Sequence, residues 1–422
     1  MEENNKNVDI VIVGAGISGL ATALALHRMG IQSLVLESSD SLRAAGIAFT
    51  TWTNAWRSLD ALGIAHSLRQ QHDLLLGINT LSTVTGYLTS YVSFTTKGKN
   101  GDNHEVRCVK RKVLLEALAK ELPNDTIRYS SKVVSIEESQ FRKLVHLSDG
   151  SVLNAKVLIG CDGVNSVVAK WLGFKNPSLV GRSAIRGCAY YDHGHGFEPK
   201  FQLHVGNGVR YGIIPCDDSA VYWFLTWYPS SEDYKMLKEG EQVKLKQFVL
   251  SKLGNVSDKI KGVIEDTRIE EIVQSSLGYR PPYEILAGNI SNDNVCVAGD
   301  AFHPMTPDLG QGGCCALEDG VVLAKCLGSA FLGTPAHSAD RGSEDGSNYT
   351  RIKDALDDYA KKRRWRAFDL ISTGYILGFL QECNWFGMQF LREKLLSSFL
   401  ASFYLKKADF DPTKLVLKNQ SD

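Results

Sequence analysis

Two glycine-rich segments, one at the start of the chain and one almost three hundred residues later, carry the chemistry this sequence can do. The later one runs from Gly299-Asp300 through His303-Pro304 and Pro307-Asp308-Leu309-Gly310 to Gln311-Gly312-Gly313. Here an apolar strand, Asn294 to Ala298, ends in an acid, passes through a turn crowded with Pro and Gly, and enters a helix near Cys315. Gly lacks a Cβ, so such a loop lets backbone N–H groups approach a bound ring or phosphate. The earlier segment is a buried strand, Asp9 to Val13, followed by Gly14-Ala15-Gly16-Ile17-Ser18-Gly19 and a helical pattern from Leu20 to about Met29. Its first Gly makes the tight turn, the second admits a pyrophosphate, and the third lets helix and strand pack closely. A second strand, Ser33 to Leu36, ends in Glu37, placed to accept hydrogen bonds from a ribose 2′-OH. A carboxylate there repels a 2′-phosphate, so the site suits the adenosine of FAD or NAD better than that of NADP. FAD is long enough to need both segments, whereas NAD held at the first would leave the second unexplained.

The elements that must position these loops come from an ordinary globular composition. The 422 residues predict two domains. With 47 basic and 47 acidic residues, nothing overall favours nucleic acid or an anionic membrane as partner. Nine cysteines without framework spacing point to a reducing compartment. The first strand starts directly behind the polar Met1 to Lys6, which leaves no room for a leader, so a cytoplasmic location is expected.

Val8 to Glu37 reads as a βαβ unit, and Arg43, Gly46 and Ile47 as a loop before a helix ending at Gly63. Strands between Gly77 and Phe94, a polar loop from Lys97 to His104, and a helix from Val113 to Leu122 behind Arg111 follow. Short strands then lead to Val152–Ile159, which delivers Cys161-Asp162-Gly163. Between Arg182 and Gly278 the pattern changes: a hairpin signal at Asn207-Gly208 and a strand, Val221 to Tyr228, that is apolar on both faces. The expected architecture is therefore α/β, a Rossmann-like FAD-binding domain with an inserted mixed or antiparallel-sheet substrate domain and C-terminal helices. The segments are 1–180 and 281–330 for cofactor binding, 181–280 for the substrate sheet, and 331–422 for the tail. Within the tail, Gly328 to Asn348 reads as a mobile loop, followed by helices over Arg351–Phe368 and about Leu370–Leu405, the latter containing Trp385, Phe386 and Phe399. No window reaches the roughly 18 uninterrupted apolar residues of a membrane span. The C-terminal helices are expected to pack on the body, with contact to a membrane surface as the alternative. Lys361 to Arg364 reads as the solvated face of a helix.

The Gly-x-Gly-x-x-Gly with its acid, the Asp162-Gly163 motif and the Gly299-Asp300 motif, in that order, resemble the flavoprotein monooxygenases of the para-hydroxybenzoate hydroxylase class. The likeness covers Val8 to Tyr359, and the runs Val295 to Cys314 and Gly160 to Lys170 are most similar to the plant branch around zeaxanthin epoxidase. The resemblance implies that Gly14, Ala15, Gly16, Ile17, Ser18 and Gly19 hold the FAD pyrophosphate and Glu37 the adenosine ribose. It gives Arg111 a contact with the polar chain of FAD, Val134 a backbone contact with adenine, and Asp300 the ribityl hydroxyls. Gly312, Gly313 and Cys314 would offer N–H groups to the pyrimidine edge of the flavin, and Pro307 would wall its reactive face. Asp162 would lie near the pyrophosphate and be linked to NAD(P)H use. The family often has Arg seven residues after that Asp, where this chain has Ala169 and then Lys170, which puts a charge role there in doubt.

The implied activity is hydroxylation or epoxidation of a small, fairly apolar metabolite. NAD(P)H reduces the flavin and leaves, O2 adds at C4a, and the hydroperoxide delivers oxygen. Only one Gly-x-Gly-x-x-Gly is present, consistent with a transient reductant. An FAD oxidase or cyclase that uses no NAD(P)H, and a non-catalytic FAD-binding protein, are the alternatives. The Trp-x-Trp-x-Ile-Pro signature of flavin halogenases is missing. No catalytic acid, base or nucleophile stands out. Asp162 is equally placed to cap a helix, and His303 beside Pro304 reads as structural or flavin-adjacent. Cys314-Cys315 read as small-residue packing, and His193-Gly194-His195 lacks further donors at metal-ligand spacing. Tyr211, Trp223 and Trp227 are candidates for the substrate pocket or for sheet core. Substrate identity and oligomeric state are not legible.

Overall fold

The computed structural model describes residues 6–43, 47–98, 101–237, 242–254, 256–332, 344–382 and 397–412. Gly46, Trp385 and Phe386 lie outside them, as does most of the expected loop between Gly328 and Asn348. The chain opens with β1 (Lys6–Val13), α1 (Ile17–Arg28) and β2 (Leu34–Leu36). There follow β3 (Ala48–Thr51), α2 (Thr53–Leu62), α3 (Ala65–Arg69), β4 (Gly77–Ser82), β5 (Leu88–Ser93), β6 (Arg107–Lys110) and α4 (Arg111–Lys120). Next come β7 (Ile127–Arg128), β8 (Val133–Ser139), β9 (Arg142–Leu147), β10 (Val152–Gly160) and α5 (Val167–Trp171). The middle holds β11 (Ser178–Tyr190), β12 (Lys200–Gly206), β13 (Val209–Asp217), β14 (Ala220–Trp227), α6 (Ser231–Leu237), α7 (Gln242–Lys252), α8 (Asp258–Asp266) and β15 (Val273–Tyr279). The chain then runs through α9 (Pro282–Ala287), β16 (Ser291–Asn292), β17 (Val295–Val297), α10 (Gly312–Leu332), α11 (Glu344–Glu382) and α12 (Ser397–Ala408).

The first sheet is ordered β16-β17-β10-β1-β2-β7, with β10, β1, β2, β7 and β17 parallel. Ile10 to Val13 and Val157 to Ile159 are buried, as strands covered by helices on both faces require. Three parallel strands, β1, β10 and β17, end at the same edge and deliver Gly14, Cys161-Asp162 and Gly299-Asp300 there. Strand β8 and strand β9 extend this sheet as an antiparallel ribbon.

The second sheet runs β15-β11-β14-β13-β12-β4-β5. Two of its strands, β4 and β5, come from before residue 180, so the segment expected to serve the cofactor also contributes to this second sheet. One face of this sheet packs against α7 and α8 in a separate core of Tyr211, Trp223, Leu225, Trp227, Phe248 and Val263. The other face turns toward the Gly299–Gly313 loop.

In the C-terminal third, α10 continues to Leu332, past the expected loop start at Gly328, and Glu344 to Asn348 already belong to α11. Helix α11 runs unbroken to Glu382, with no interruption at Leu370, because nothing between Phe368 and Leu380 is a breaker stronger than Gly374 and Gly378. Helix α12 docks on the body: Tyr404 stacks on Trp52 at 5.6 Å between ring centroids, and Asp409 pairs with Arg57 at 3.0 Å. Among the described residues no helix is long and apolar enough to cross a membrane.

Candidate active site

The edge where β1, β10 and β17 end opens into a polar cleft of ≈ 400 Å³. Gly14 takes φ +101°, and a Cβ there would stand 2.5 Å from the Cys161 carbonyl oxygen, so only glycine lets the first loop lie against the end of β10. At Gly19 a Cβ would meet the Gly14 carbonyl at 2.0 Å, which is the close helix–strand approach expected of the third glycine. The N-termini of α1 and α10 both face the cleft, bringing Gly16 to Ser18 and Gly312-Gly313 to its walls. Free N–H groups and two helix dipoles thus converge on one space.

Glu37, 9% exposed, lines the cleft and is already engaged: it accepts from Ala15 N and Ser39 N, each at 2.9 Å. It thereby ties the glycine loop to the end of β2. Asp300 also lines the cleft with an exposed carboxylate, while the preceding Gly299 N–H donates to Asp319 at 2.8 Å. Arg111, the first residue of α4, reaches the same cleft with its Nε buried and unpaired. Burial pushes its pKa down and Asp300 opposes that shift.

Asp162 stands between the cleft and the start of α5, whose N-cap is Ser166. It lines the cleft and also holds α5, accepting from Val167 N at 2.7 Å and from the Ser166 hydroxyl. Burial raises its pKa against those hydrogen bonds.

Val134 is not among the residues that line the cleft. A register shift lies between Val133 and Ser135, the Val134 side chain is 49% exposed, and Ser131 to Val133 line the cleft beside it. Cys314 is fully buried with its thiol directed at the carbonyls of Thr50 and Gly310, and burial pushes that thiol up to about 12. The cleft-facing side chain of that helix turn is Ala316.

On the far side of the Pro307–Gly310 turn lies a second, apolar pocket. Phe49, Trp52, Tyr222, Phe224, Pro307 and Tyr404 line it, with Arg186 and Arg210 at its polar end. Tyr211, Trp223 and Trp227 do not. They point the other way, where the Tyr211 hydroxyl donates to Leu253 O at 3.1 Å, Trp223 Nε1 to Thr267 Oγ1 at 2.8 Å, and Trp227 packs on Phe248. Side chains alternate along a strand, so a one-residue choice of face exchanges the whole set, and β14 is apolar on both faces. The pocket face carries Tyr222, Phe224 and Thr226. Sequence reading missed Phe49, Trp52, Arg186, Arg210, Asp308 and Tyr404. Only the arginines, set in otherwise apolar strands, gave a signal.

Two buried charge clusters fix the loop between the cavities. Asp308, fully buried, takes both Arg182 nitrogens at 3.0 and 2.6 Å and Arg210 Nη1 at 3.2 Å. Burial alone would raise its pKa, but the two guanidiniums hold it below the ordinary carboxylate range. Behind the loop, Asp319 accepts from His303 Nε2 and Arg363 Nε, both at 2.6 Å, while Glu318 binds Asn54, Arg363 and Arg366. Burial disfavours the His303 imidazolium, yet its negative partners, Asp319 among them, lift it well above the usual histidine range. His303 is fully buried and lines neither cavity. Arg363 was expected on a solvated face and is instead fully buried here, while Lys362 pairs with Asp358 on the same helix. His303, Cys315 and Asp319 lie close enough to be metal donors, but Asp319 is spent on N–H groups and Arg363 Nη2 sits 3.0 Å from Cys315 Sγ, where a cation already resides. His195, the other candidate, bonds the Asp217 carbonyl at 2.7 Å.

The residues of the cleft fit FAD. An unpaired buried Arg111 Nε, an open Asp300 carboxylate and two helix N-termini are the donors and acceptor that a pyrophosphate, a polyol chain and an electron-rich ring edge call for. The comparisons agree. Residues 7–339 match the family described as FAD binding domain. The chain is 51% identical to Monooxygenase 2 of Arabidopsis thaliana over 99% of its own length and 100% of that protein, and 37% identical to Monooxygenase 1 of the same plant, over 88% and 90%. Among solved structures it is similar in fold to Klebsiella pneumoniae HpxO complexed with FAD and uric acid, at a TM-score of 0.77 and 22% identity over 95% of this chain and 96% of that one. Pseudomonas aeruginosa PqsL in complex with 2-aminobenzoylacetate gives 0.70 and 21%, over 89% and 97%.

Proposed function

Because the chain belongs to the FAD-binding domain family, among its flavin-dependent monooxygenases, we propose that it draws electrons from NAD(P)H and inserts one atom of O2 into a small, largely apolar metabolite. The observation that carries this reading is the division of the site by the Pro307–Gly310 turn: a polar cleft rich in N–H groups on one side, an aromatic pocket on the other. When bound, FAD supplies the redox chemistry and activates O2. The protein's residues position and exclude. Arg111 and Asp300 would hold the polar chain of FAD, and the amides of Gly312 and Gly313 would face its ring edge and favour negative charge there. Phe49, Trp52, Phe224 and Tyr404 keep water from the substrate pocket. Relatives named FAD-dependent urate hydroxylase and 3-hydroxybenzoate 6-hydroxylase support an aromatic substrate. The described cysteines are all free, which supports a reducing, cytoplasmic location.

The test is NAD(P)H oxidation by the purified yellow protein across a panel of phenolics, terpenoids and alkaloids, with mass spectrometry for a product one oxygen heavier. Stimulation with oxygenated product is expected. A colourless protein, or flavin reduced by substrate without NAD(P)H, overturns the reading.

A further inference from the structure

Arg280 lines neither the cleft nor the aromatic pocket, yet this residue, 1% exposed, grips the loop that carries Asp300. Its Nε donates to Phe302 O at 2.8 Å and its Nη2 to Ala301 O at 3.1 Å. Its own backbone N–H donates to Pro304 O at 2.9 Å. Its Nη1 donates to Lys175 O at 2.9 Å, in the stretch that follows α5, and lies 3.4 Å from Glu284 Oε2. The centroid of the Phe174 ring lies 4.4 Å from the guanidinium carbon. One side chain thus bonds the backbone downstream of both cleft acids, Asp162 and Asp300.

The place of Arg280 is fixed from outside the loop it holds. It follows β15, an edge strand of the second sheet, and precedes Pro281-Pro282, whose rings restrict the backbone there. The turn itself is short: Gly299 O accepts from Phe302 N at 2.9 Å and from His303 N at 2.8 Å. Pro304 has no N–H with which to extend that turn back to Ala301 O, and Arg280 answers the carbonyl instead. From the opposite side Asp319 accepts from Gly299 N at 2.8 Å and His303 Nε2 at 2.6 Å. Asp319 holds the N–H side of the turn and Arg280 the carbonyl side. Asp300 stands between these anchors and faces the cleft. A guanidinium holds several acceptors at fixed angles, which an ammonium on a flexible stem does not. Buried carbonyls that lose their donor carry a desolvation cost until the backbone moves to find another, so the turn shifts when Arg280 is removed.

We propose that Arg280 is a positioning residue for the cofactor: by fixing the carbonyls of Ala301, Phe302 and Pro304 it aims the Asp300 carboxylate into the cleft, while touching neither cofactor nor substrate itself. The assignment rests on the reading of the cleft as an FAD site with Asp300 among its contacts.

The experiment dilutes the flavin-loaded full-length protein and follows FAD release by flavin fluorescence, with visible circular dichroism of the flavin that stays bound. Arg280→Met is expected to weaken FAD binding about tenfold or more and to change the dichroism of the bound flavin. Arg280→Lys should recover part of both. The decisive arm is a double-mutant cycle with Asp300→Ala. If Arg280 works through Asp300, Arg280→Met adds little to the loss that Asp300→Ala causes alone. Losses that simply add overturn the assignment, because they show that Arg280 stabilises the fold at large. Native affinity and an unchanged spectrum in Arg280→Met overturn it as well. Should Arg280→Met fail to fold by far-ultraviolet circular dichroism, Arg280→Lys takes its place in the cycle under the same criteria. A native protein that takes up no FAD, or an Asp300→Ala variant that holds it as tightly as the native chain, overturns the underlying reading of the cleft and the assignment with it.

Discussion

Asp300 and Asp308 lie on one loop, eight residues apart, and the protein uses them in opposite ways. Asp300 faces the polar cleft, exposed, its carboxylate open to a ligand. Asp308 faces the aromatic pocket, fully buried and saturated by Arg182 and Arg210 from the second sheet. The same division holds for the cavities around them. The cleft is walled by backbone amides at helix N-termini, and its first wall comes from one stretch, Gly14 to Glu37. The pocket is walled by side chains drawn from Phe49 to Tyr404 and by the charges that pin the loop to the sheet. The loop's first acid is free for chemistry because its second is spent on architecture.

Substitutions should separate the two roles. Asp308→Ala removes the carboxylate that two buried guanidiniums share and is expected to cost about 3–5 kcal/mol, read as a large drop in melting temperature and loss of flavin. A stable, flavin-loaded variant would show that the ion cluster does not hold the loop. Asp300→Ala exposes no such charge, so stability should change by no more than about 0.5 kcal/mol while FAD affinity falls about tenfold. Normal flavin content on dilution would refute a cofactor role.

The buried pair behind the loop gives the next effect. The raised pKa of His303 contributes stability that is complete below its unfolded value, about 6.5, and is lost as pH rises through the higher folded value. Asp319, held low by its cations against burial, contributes above about 3.9 and loses that contribution as pH falls through its depressed folded value. Melting temperature should therefore decline on the alkaline side in the native protein, and His303→Gln should flatten that decline; an unchanged slope would locate it elsewhere. The smallest effect belongs to the far face of the sheet. Tyr211→Phe removes one buried hydroxyl bond, to Leu253, and should cost about 1 kcal/mol without moving the affinity of any pocket ligand. A change in ligand affinity would return Tyr211 to the pocket.

Much of the cofactor end was legible because it is local. Strand, glycine turn, helix, strand and acid follow one another from Val8 to Glu37, so the whole motif can be read within one short stretch, even though the Cβ that Gly14 lacks would meet the distant Cys161 carbonyl. The loop after Val297 was legible for the same reason, as a pattern of Gly and Pro that few other structures tolerate. The pocket was not. Strand β14 offers apolar side chains on both faces, so alternation places Tyr222 and Phe224 opposite Trp223 and Trp227 but cannot say which set faces the loop. Nor could four consecutive basic residues on α11 be sorted by type: each successive side chain turns about 100° around the helix, so one of them had to face inward, and it was Arg363. The sequence by itself determined the dinucleotide-type βαβ unit, the glycine turns and the acids at the strand ends, since these are marked by residue types at short, fixed spacings. Tertiary structure alone decided which face of the second sheet meets the loop, and that Asp308 is shared by two arginines. Those outcomes depend on strands and helices far apart in the chain, where burial and charge are settled only when all the surfaces meet.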